Sequence, residues 1–564
     1  MSLSRQQWWM AAALIAALAL AASANSIVNG FTYDDAYIIV RDARAHSLNG
    51  WWTEFAGTYW ARDWGGDGYR PMTRIMFRLA WAIGDGSPMA FHAMNVAVHV
   101  GGAVAVFWLA GALLPFAAAW IAAALYAVHP VHTEAIANSV GAAELFVLLL
   151  FVLTAGLYVH GRRAGPITWK RWLAIGALYA TACFFKEHAI VLPAIILMAE
   201  LLVVPDRAPA RERLRRLRLP LLLLTVVAVS FLWARSSVVV TGVSGFIPAL
   251  PFQTLELSTG NRILTMIGAV PEWFRLLLWP ERLMTEYTPP YIDMAEGFSL
   301  VQLPGALLLL GTLGLAAACW RRSPVTSFGI LWIVITLLPV SNFLVPTGIL
   351  VAERTLMLPS VGAMIALGSV VPGAYALLEQ RGVARAVAAT AVVVLIALGI
   401  GRSVTRNRAW VNNETLFRQG IVDAPASYRL HWLLGNYLRN AGHEEEGLRH
   451  LQQALRLFPY DPMLPYLVAE GLRKRGNCVT AVPLYEWAFE LASSLRHLQL
   501  GLAICHLVAL RLDEAKRVTL DALRYGAGHD DAVLVLRAIK TGRDSLAVRR
   551  ARADSAVQAG SPPR

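Results

Sequence analysis

Charge is scarce in this chain. Of 564 residues only 15% are Asp, Glu, Lys or Arg, while 57% are hydrophobic. With a mean hydropathy of +0.50, this is too apolar for a soluble protein of such length and fits a polytopic membrane chain. Lysine is nearly missing, with five residues against 45 arginines, and alanine is abundant, a weak hint of a GC-rich bacterial genome. A net charge of +13 would suit nucleic acid, but the basic residues form no single patch. Many lie in short loops between apolar runs, which is a topology signal of membrane proteins, and nucleic acid is set aside. Cysteine is also sparse, and none of the four makes a Cys-x-x-Cys pair, so zinc and iron–sulfur sites are not expected. Cys183 and Cys319 fall in apolar runs as packing residues. Cys478 and Cys505 would be able to pair if the C-terminal region is extracytoplasmic, although sequence does not set their distance.

Long apolar runs are what the chain has in plenty. A membrane helix needs roughly 20 residues. The runs at 8–28, 90–112, 114–129, 140–160, 171–186, 188–204, 219–235, 301–320, 326–345, 355–377 and 384–402 predict eleven spans. The first resembles a signal peptide, but it is read as a retained helix. Arg162, Arg163, Lys170 and Arg171 share one loop, and Arg207, Arg211, Arg213, Arg215, Arg216 and Arg218 another. Arg321 with Arg322 and Arg381 with Arg385 mark two more. All four loops fall on one side, which is expected to be cytoplasmic. Loop 29–89 and the region after 403 then face outward, placing the repeats in the periplasm of a bacterial inner membrane. The stretches 261–279 and 72–83 carry Arg among apolar residues and read as interfacial or re-entrant helices.

After about Arg406 a 34-residue period appears: Gly447, Leu451 and Ala454, then Ala481, Tyr485 and Ala488, then Ala515 and Ala522. Leu434-Gly435 supplies a small residue where the first helix of a repeat needs one. This is tetratricopeptide-repeat spacing, with small residues where paired helices cross. The expected architecture is all-α: a membrane bundle over 1–403, about three repeats over 404–549, and a disordered tail over 550–564. A half-repeat around Leu416, Phe417 and Pro425 precedes the array.

Chemistry-bearing residues cluster at outward segment ends. Asp34-Asp35 follows the first span, and an acidic pair at a membrane mouth requires solvation or a partner. Its functional reading is a general base with a supporting carboxylate; its bland one is a helix cap. Tyr69-Arg70-Pro71 places a guanidinium that grips a phosphate or snorkels to headgroups. His129, His132 and Glu134 are a thin set for a metal and suit hydrogen bonding to a polar substrate. Glu144, buried in the fourth span, needs a partner. Lys186 would neutralise a phosphate oxygen or pair with Glu187. Asn342 and Glu353 precede Arg354, another outward cation whose ordinary partner would be Glu353, and with Glu144 and Glu187 they are expected to contact substrate. A carboxylate pair and three cations on one face suit a lipid-phosphate-linked substrate: cations hold a departing phosphate while a carboxylate takes the acceptor proton.

The order of Asp34-Asp35, Tyr69-Arg70-Pro71, Val128-His129-Pro130-Val131-His132-Thr133-Glu134-Ala135, Lys186-Glu187, Leu338-Pro339 with Ser341-Asn342, Ala352-Glu353-Arg354 and Leu358-Pro359-Ser360-Val361-Gly362 resembles the transmembrane and tetratricopeptide-repeat-containing O-mannosyltransferases. Leu276-Leu277-Leu278-Trp279-Pro280 with Tyr287 and Arg406-Asn407-Arg408-Ala409-Trp410 fit as well, and the resemblance covers nearly the whole chain. It implies a GT-C glycosyltransferase, a polyprenyl-phosphate sugar donor (mannose being the expected sugar), and an acceptor hydroxyl outside the cytoplasm. By position Asp34 corresponds to the base with Asp35 beside it, and Arg70 to a basic-residue-plus-proline contact with the lipid phosphate. No metal or other cofactor is implied when the leaving group is a monophosphate. One departure is Gly141-Ala142-Ala143-Glu144, where the family commonly has Gly-Arg-Ala before the acid. The expected partners are the lipid-linked donor, an acceptor protein or glycan, and a protein on the repeats. The competing reading is a membrane-anchored repeat scaffold without catalysis. A transporter would instead spread its polar residues along a path at midplane.

Overall fold

The computed structural model describes residues 4–61, 68–239, 257–347, 349–380 and 385–559, with side chains of the last helix described as far as residue 545. It forms two compact units that divide between Pro425 and Ala426, later than the composition change near 404. The described residues are all-α, without strands.

The first unit comprises α1 (Arg5–Ser23), α2 (Pro71–Gly84), α3 (Pro88–Leu113), α4 (Phe116–Ala127), α5 (Thr133–Ala137), α6 (Ala142–Ala164), α7 (Trp169–Phe185), α8 (Leu192–Leu202), α9 (Ala210–Val238), α10 (Thr259–Leu278), α11 (Leu303–Arg322), α12 (Pro324–Leu337), α13 (Met357–Gln380), α14 (Arg385–Asn407) and α15 (Asn413–Asp423). Local signals start many of them. Ser4 and Gln7 close a capping box on α1, and Ser87 caps α3 ahead of Pro88. Close backbone approach fixes the α12–α13 crossing: a Cβ on Gly329 would lie 2.6 Å from the Gly362 carbonyl oxygen. Beside it, Trp332 is fully buried and donates its indole N–H to the Leu358 carbonyl at 2.9 Å.

This is an integral, multi-pass membrane chain. Seven stretches are long and apolar enough to cross a bilayer: Arg5–Val28, Pro88–Leu113, Ser139–Ala164, Ala210–Val238, Leu300–Arg322, Glu353–Gln380 and Arg385–Trp410. Phe116–Ala127 and Pro324–Val340 are shorter apolar helices. The expected spans at 171–186 and 188–204 are not among these. α7 has 17 residues, and 3-10 backbone over Glu187–Val191 shortens α8 to 11. At 1.5 Å per residue, 11 residues reach about half of the hydrocarbon core.

The two regions read as interfacial or re-entrant are not among the seven stretches, and their arginines pair inside the protein. In α2, Arg74 and Arg78 do not reach outward; both are buried on Glu54, and Arg74 also meets Asp42 at 3.0 Å. In α10, which is not among the seven stretches, Arg262 is buried and donates to the Asn342 carbonyl at 2.6 Å, while Arg275 pairs with Glu272. These arginines are satisfied inside the protein, so none needs lipid headgroups.

Chain direction separates the two ends of the bundle. α6 carries Glu144 in its first turn and Arg162 in its last, where Glu200 collects Arg162 and Arg213, and Asp206 collects Arg162 and Arg216. Arg321, Arg322 and Arg385 also stand at helix ends remote from residues 341–354 and 406. Arg381 lies outside the described residues.

The second unit is an α-solenoid of tetratricopeptide type, made of helix hairpins: α16 (Tyr428–Asn440) with α17 (Glu444–Leu457), α18 (Met463–Lys474) with α19 (Cys478–Leu491), and α20 (Leu500–Val508) with α21 (Leu512–Arg524). Ala454, Ala481, Ala488, Ala515 and Ala522 are fully buried between helices. A Cβ on Gly435 would meet the Gly447 carbonyl oxygen and Leu451 Cγ, each at 2.9 Å. Cys478 and Cys505 form a disulfide joining α19 to α20, settling a pairing that sequence left open. α22 (His529–Ala559) continues past the expected start of the tail at 550, and 560–564 lie outside the described residues.

Candidate functional site

Loop residues at one end of the first unit bring the acidic pair and the three cations together. The two aspartates have separate surroundings. Asp35 is fully buried and accepts from the backbone N–H groups of Thr32 at 3.0 Å, Ser139 at 3.3 Å and Val140 at 2.9 Å. It ties the first loop to the turn that opens α6. Burial pushes its carboxyl up to about 7, against the three N–H groups that favour the ionised form. Asp35 is therefore an internal fastener, its carboxylate engaged with backbone groups on two segments. Asp34 is only half-buried, and its backbone carbonyl accepts from Tyr37 and Ile38.

Each cation is matched by a carboxylate. Arg70, at the N-cap position of α2 ahead of Pro71, makes a two-pronged pair with Glu187 at 2.8 and 3.1 Å. Its guanidinium also sits 4.8 Å from the centre of the Tyr59 ring. Burial opposes the Arg70 charge, but Glu187 holds its pKa above the ordinary arginine value. Burial likewise opposes the Glu187 charge, and Arg70 and Lys186 overcome it, holding Glu187 well below the usual carboxylate range. Lys186 pairs with Glu144 rather than Glu187, and His188 Nε2 stands 3.3 Å from the other Glu144 oxygen. Glu144, in the first turn of α6, thus has the partner its burial requires. Arg354 pairs with Glu134 rather than Glu353: its guanidinium meets one carboxylate oxygen and its backbone N–H donates to the other at 2.8 Å. The side chains of Arg70, Lys186 and Arg354 are 20%, 12% and 20% exposed, shielded yet reachable.

The pairs form one electrostatic cluster. Arg354 feels the charges of Asp34 and Glu144, Lys186 those of Arg70, Glu187 and Arg354, and Tyr59 those of Arg70 and Asp34. Residues separated by more than 300 positions in sequence thereby share one charged cluster.

The other expected residues make hydrogen bonds of their own within the fold. His129 Nε2 lies 3.2 Å from the Leu277 carbonyl, and its Nδ1 accepts from the Val131 N–H. His132 Nε2 is 2.9 Å from Ser360 Oγ. Both imidazoles are engaged with the fold. Asn342, with left-handed backbone at φ 57°, accepts from Thr347 and donates to the Ile349 carbonyl at 2.7 Å, so it shapes its own loop. Glu353 is fully buried and accepts from the Met284 N–H at 2.6 Å and the Tyr287 hydroxyl at 2.7 Å. It belongs to a network with Tyr287 and feels the charge of Glu134, the partner of Arg354.

Four neighbours escaped the sequence reading. The Tyr33 hydroxyl donates to Glu286 and lies within electrostatic reach of Arg354. Tyr59 stacks on Arg70, and Asn413 holds the backbone N–H of Tyr33. Only Tyr33 carried a signal, as the residue before Asp34. Tyr59, Glu286 and Asn413 have no distinguishing local pattern.

A helical membrane bundle with a charged chamber at one end, followed by tetratricopeptide-type hairpins, is the layout implied by the resemblance noted above. No family model matches the chain. It is similar to protein O-mannosyl-transferase TMTC3 of Mus musculus, at 26% identity over 79% of this chain and 51% of that protein. It is also similar to protein O-mannosyl-transferase TMTC1 of Homo sapiens, at 25% identity over 80% and 55%, and to TMTC4 of Homo sapiens, at 26% over 78% and 65%. The chain spans about half the length of the curated relatives it matches. The crystal structure of the APC/C hetero-tetramer Cut9-Hcn1 aligns over 83% of this chain and 89% of that one, with 13% identity and a TM-score of 0.22, too loosely to argue from.

Proposed function

We propose that this protein is a membrane glycosyltransferase of GT-C type that moves a sugar, mannose by its resemblance, from a polyprenyl-phosphate donor to an acceptor hydroxyl. The observation that carries this reading is the half-buried Asp34 in one electrostatic cluster with Arg70, Lys186 and Arg354. The names of the relatives support the same chemistry. The acceptor oxygen attacks the anomeric carbon with inversion. The acceptor proton passes to Asp34, and the bond from the anomeric carbon to the phosphate oxygen breaks. The bonding electrons leave on the polyprenyl monophosphate, which the three cations stabilise. No metal or cofactor enters this scheme. The acceptor is a Ser or Thr hydroxyl of a protein, presented by the repeats or by a partner on them.

We infer that the repeats lie outside the cytoplasm, in the periplasm for a bacterial chain; the basic residues at helix ends remote from Asp34 and the pairing of Cys478 with Cys505 support this reading. Asp34→Asn should abolish mannose transfer from polyprenyl-phosphate mannose to a threonine-containing peptide while donor binding stays near normal. Retained turnover would remove Asp34 from the base role. Arg70→Ala should mainly weaken donor binding.

A further inference from the structure

The segment that leads into Asp34 is fastened along its length to the end of the first unit. Asn25 Nδ2 donates to the Val404 carbonyl at 2.9 Å, and Asn29 Nδ2 to that of Asn407 at 3.2 Å. The Gly30 N–H donates to the Val411 carbonyl at 2.9 Å, so closely that a Cβ on Gly30 would stand 3.1 Å from that oxygen. The last fastening is at Tyr33. Its backbone is left-handed at φ 55°, a conformation that a tyrosine adopts only when its surroundings impose it. Its N–H donates to Asn413 Oδ1 at 2.7 Å, and its ring packs edge-on against Phe417, with centroids 6.3 Å apart.

We propose that Asn413, seconded by Phe417, is a positioning residue for Asp34: α15 holds Tyr33 in its left-handed conformation and so sets the direction of the next carboxylate. The inference rests on the reading of Asp34 as the base. It makes α15, which lies beyond the last apolar stretch, a working part of the chamber. Asn413 is the first residue of the helix and does not cap it; the cap is Asn412, whose Oδ1 accepts from Thr415 N–H at 2.9 Å. Adjacent asparagines thus separate two roles, one stabilising α15 and the other addressing Tyr33.

The full chain is assayed in detergent with polyprenyl-phosphate mannose and a threonine-containing peptide. Asn413→Ala should lower kcat about tenfold or more, since displacing a reacting group by about 1 Å costs up to about a hundredfold. Donor KM and melting temperature should stay near those of the parent. Asn413→Asp, which keeps the accepting oxygen, should restore most of kcat. Phe417→Ala should lower kcat and Phe417→Leu recover part of it. Asn412→Ala should lower the melting temperature and leave kcat close to the parent value. If Asn413→Ala turns over like the parent, or Asn412→Ala slows turnover as much, α15 only holds the fold and the assignment falls. Asp34→Asn run alongside keeps the two questions apart. If it abolishes turnover while Asn413→Ala does not slow it, the positioning role alone fails. If it retains turnover, the base reading fails and takes the positioning role with it.

Discussion

Adjacent carboxylates with opposite duties make Asp34 and Asp35 informative at the scale of the residue. Both oxygens of Asp35 serve backbone N–H groups, so its carboxylate joins the first loop to the turn that opens α6. Asp34 is the one left half-buried beside the cations. Composition marked the pair but did not divide it, because the division comes from Ser139 and Val140, a hundred residues further on. A carboxylate in the second unit has a similar conflict. Asp461 is 2% exposed, and burial raises its pKa to about 6 although the Met463 N–H and Arg429 favour its charge. Because the folded pKa lies above the unfolded value of 3.8, the stability from this group is full below that value and is lost as pH rises through about 6. Asp461→Asn keeps an oxygen for Met463 and carries no charge. It should therefore stabilise the repeat unit at pH 8 by about 2 kcal/mol, and by less at pH 4.5, as read from thermal unfolding. Equal gains at both pH values would contradict the buried charge as the cause.

At the scale of the element, small residues decide which helices meet. Gly435 and Gly447 let α16 and α17 touch backbone to backbone, as Gly329 and Gly362 do for α12 and α13. Gly435→Val should destabilise the repeat unit by about 3 kcal/mol, because its Cβ meets a carbonyl oxygen and Leu451 rather than a movable side-chain tip. Differential scanning calorimetry would register this, and an unchanged transition would contradict the crossing. Such positions were legible in sequence because a 34-residue register exposes them. Helix limits in the bundle were less so. Hydropathy ran α8 from 188 to 204, because it does not register the 3-10 turn over Glu187–Val191. Arg74 and Arg78 were misplaced for a related reason: their counter-charges, Asp42 and Glu54, stand in a loop with no periodicity of its own. The partners of Lys186 and Arg354 were likewise assigned to sequence neighbours, when folding supplies Glu144 and Glu134 from 42 and 220 residues away.

For the whole molecule, the covalent link in the repeats bears on where the second unit lives. The disulfide closes a sequence separation of 27 residues, and removing such a link costs about 3 kcal/mol. A double replacement, Cys478→Ser with Cys505→Ser, should lower the thermal midpoint of the repeat unit and leave Asp34-dependent chemistry in place. A reductant should reproduce that shift in the parent chain and not in the double variant; a parent indifferent to reductant would argue against an oxidised link. The pairing of every chamber cation with its own carboxylate has a different consequence. Arg70, Lys186 and Arg354 meet a visiting anion with charge already balanced by Glu187, Glu144 and Glu134, so its arrival leaves a surplus of negative charge that a glutamate relieves by turning away or by taking up a proton.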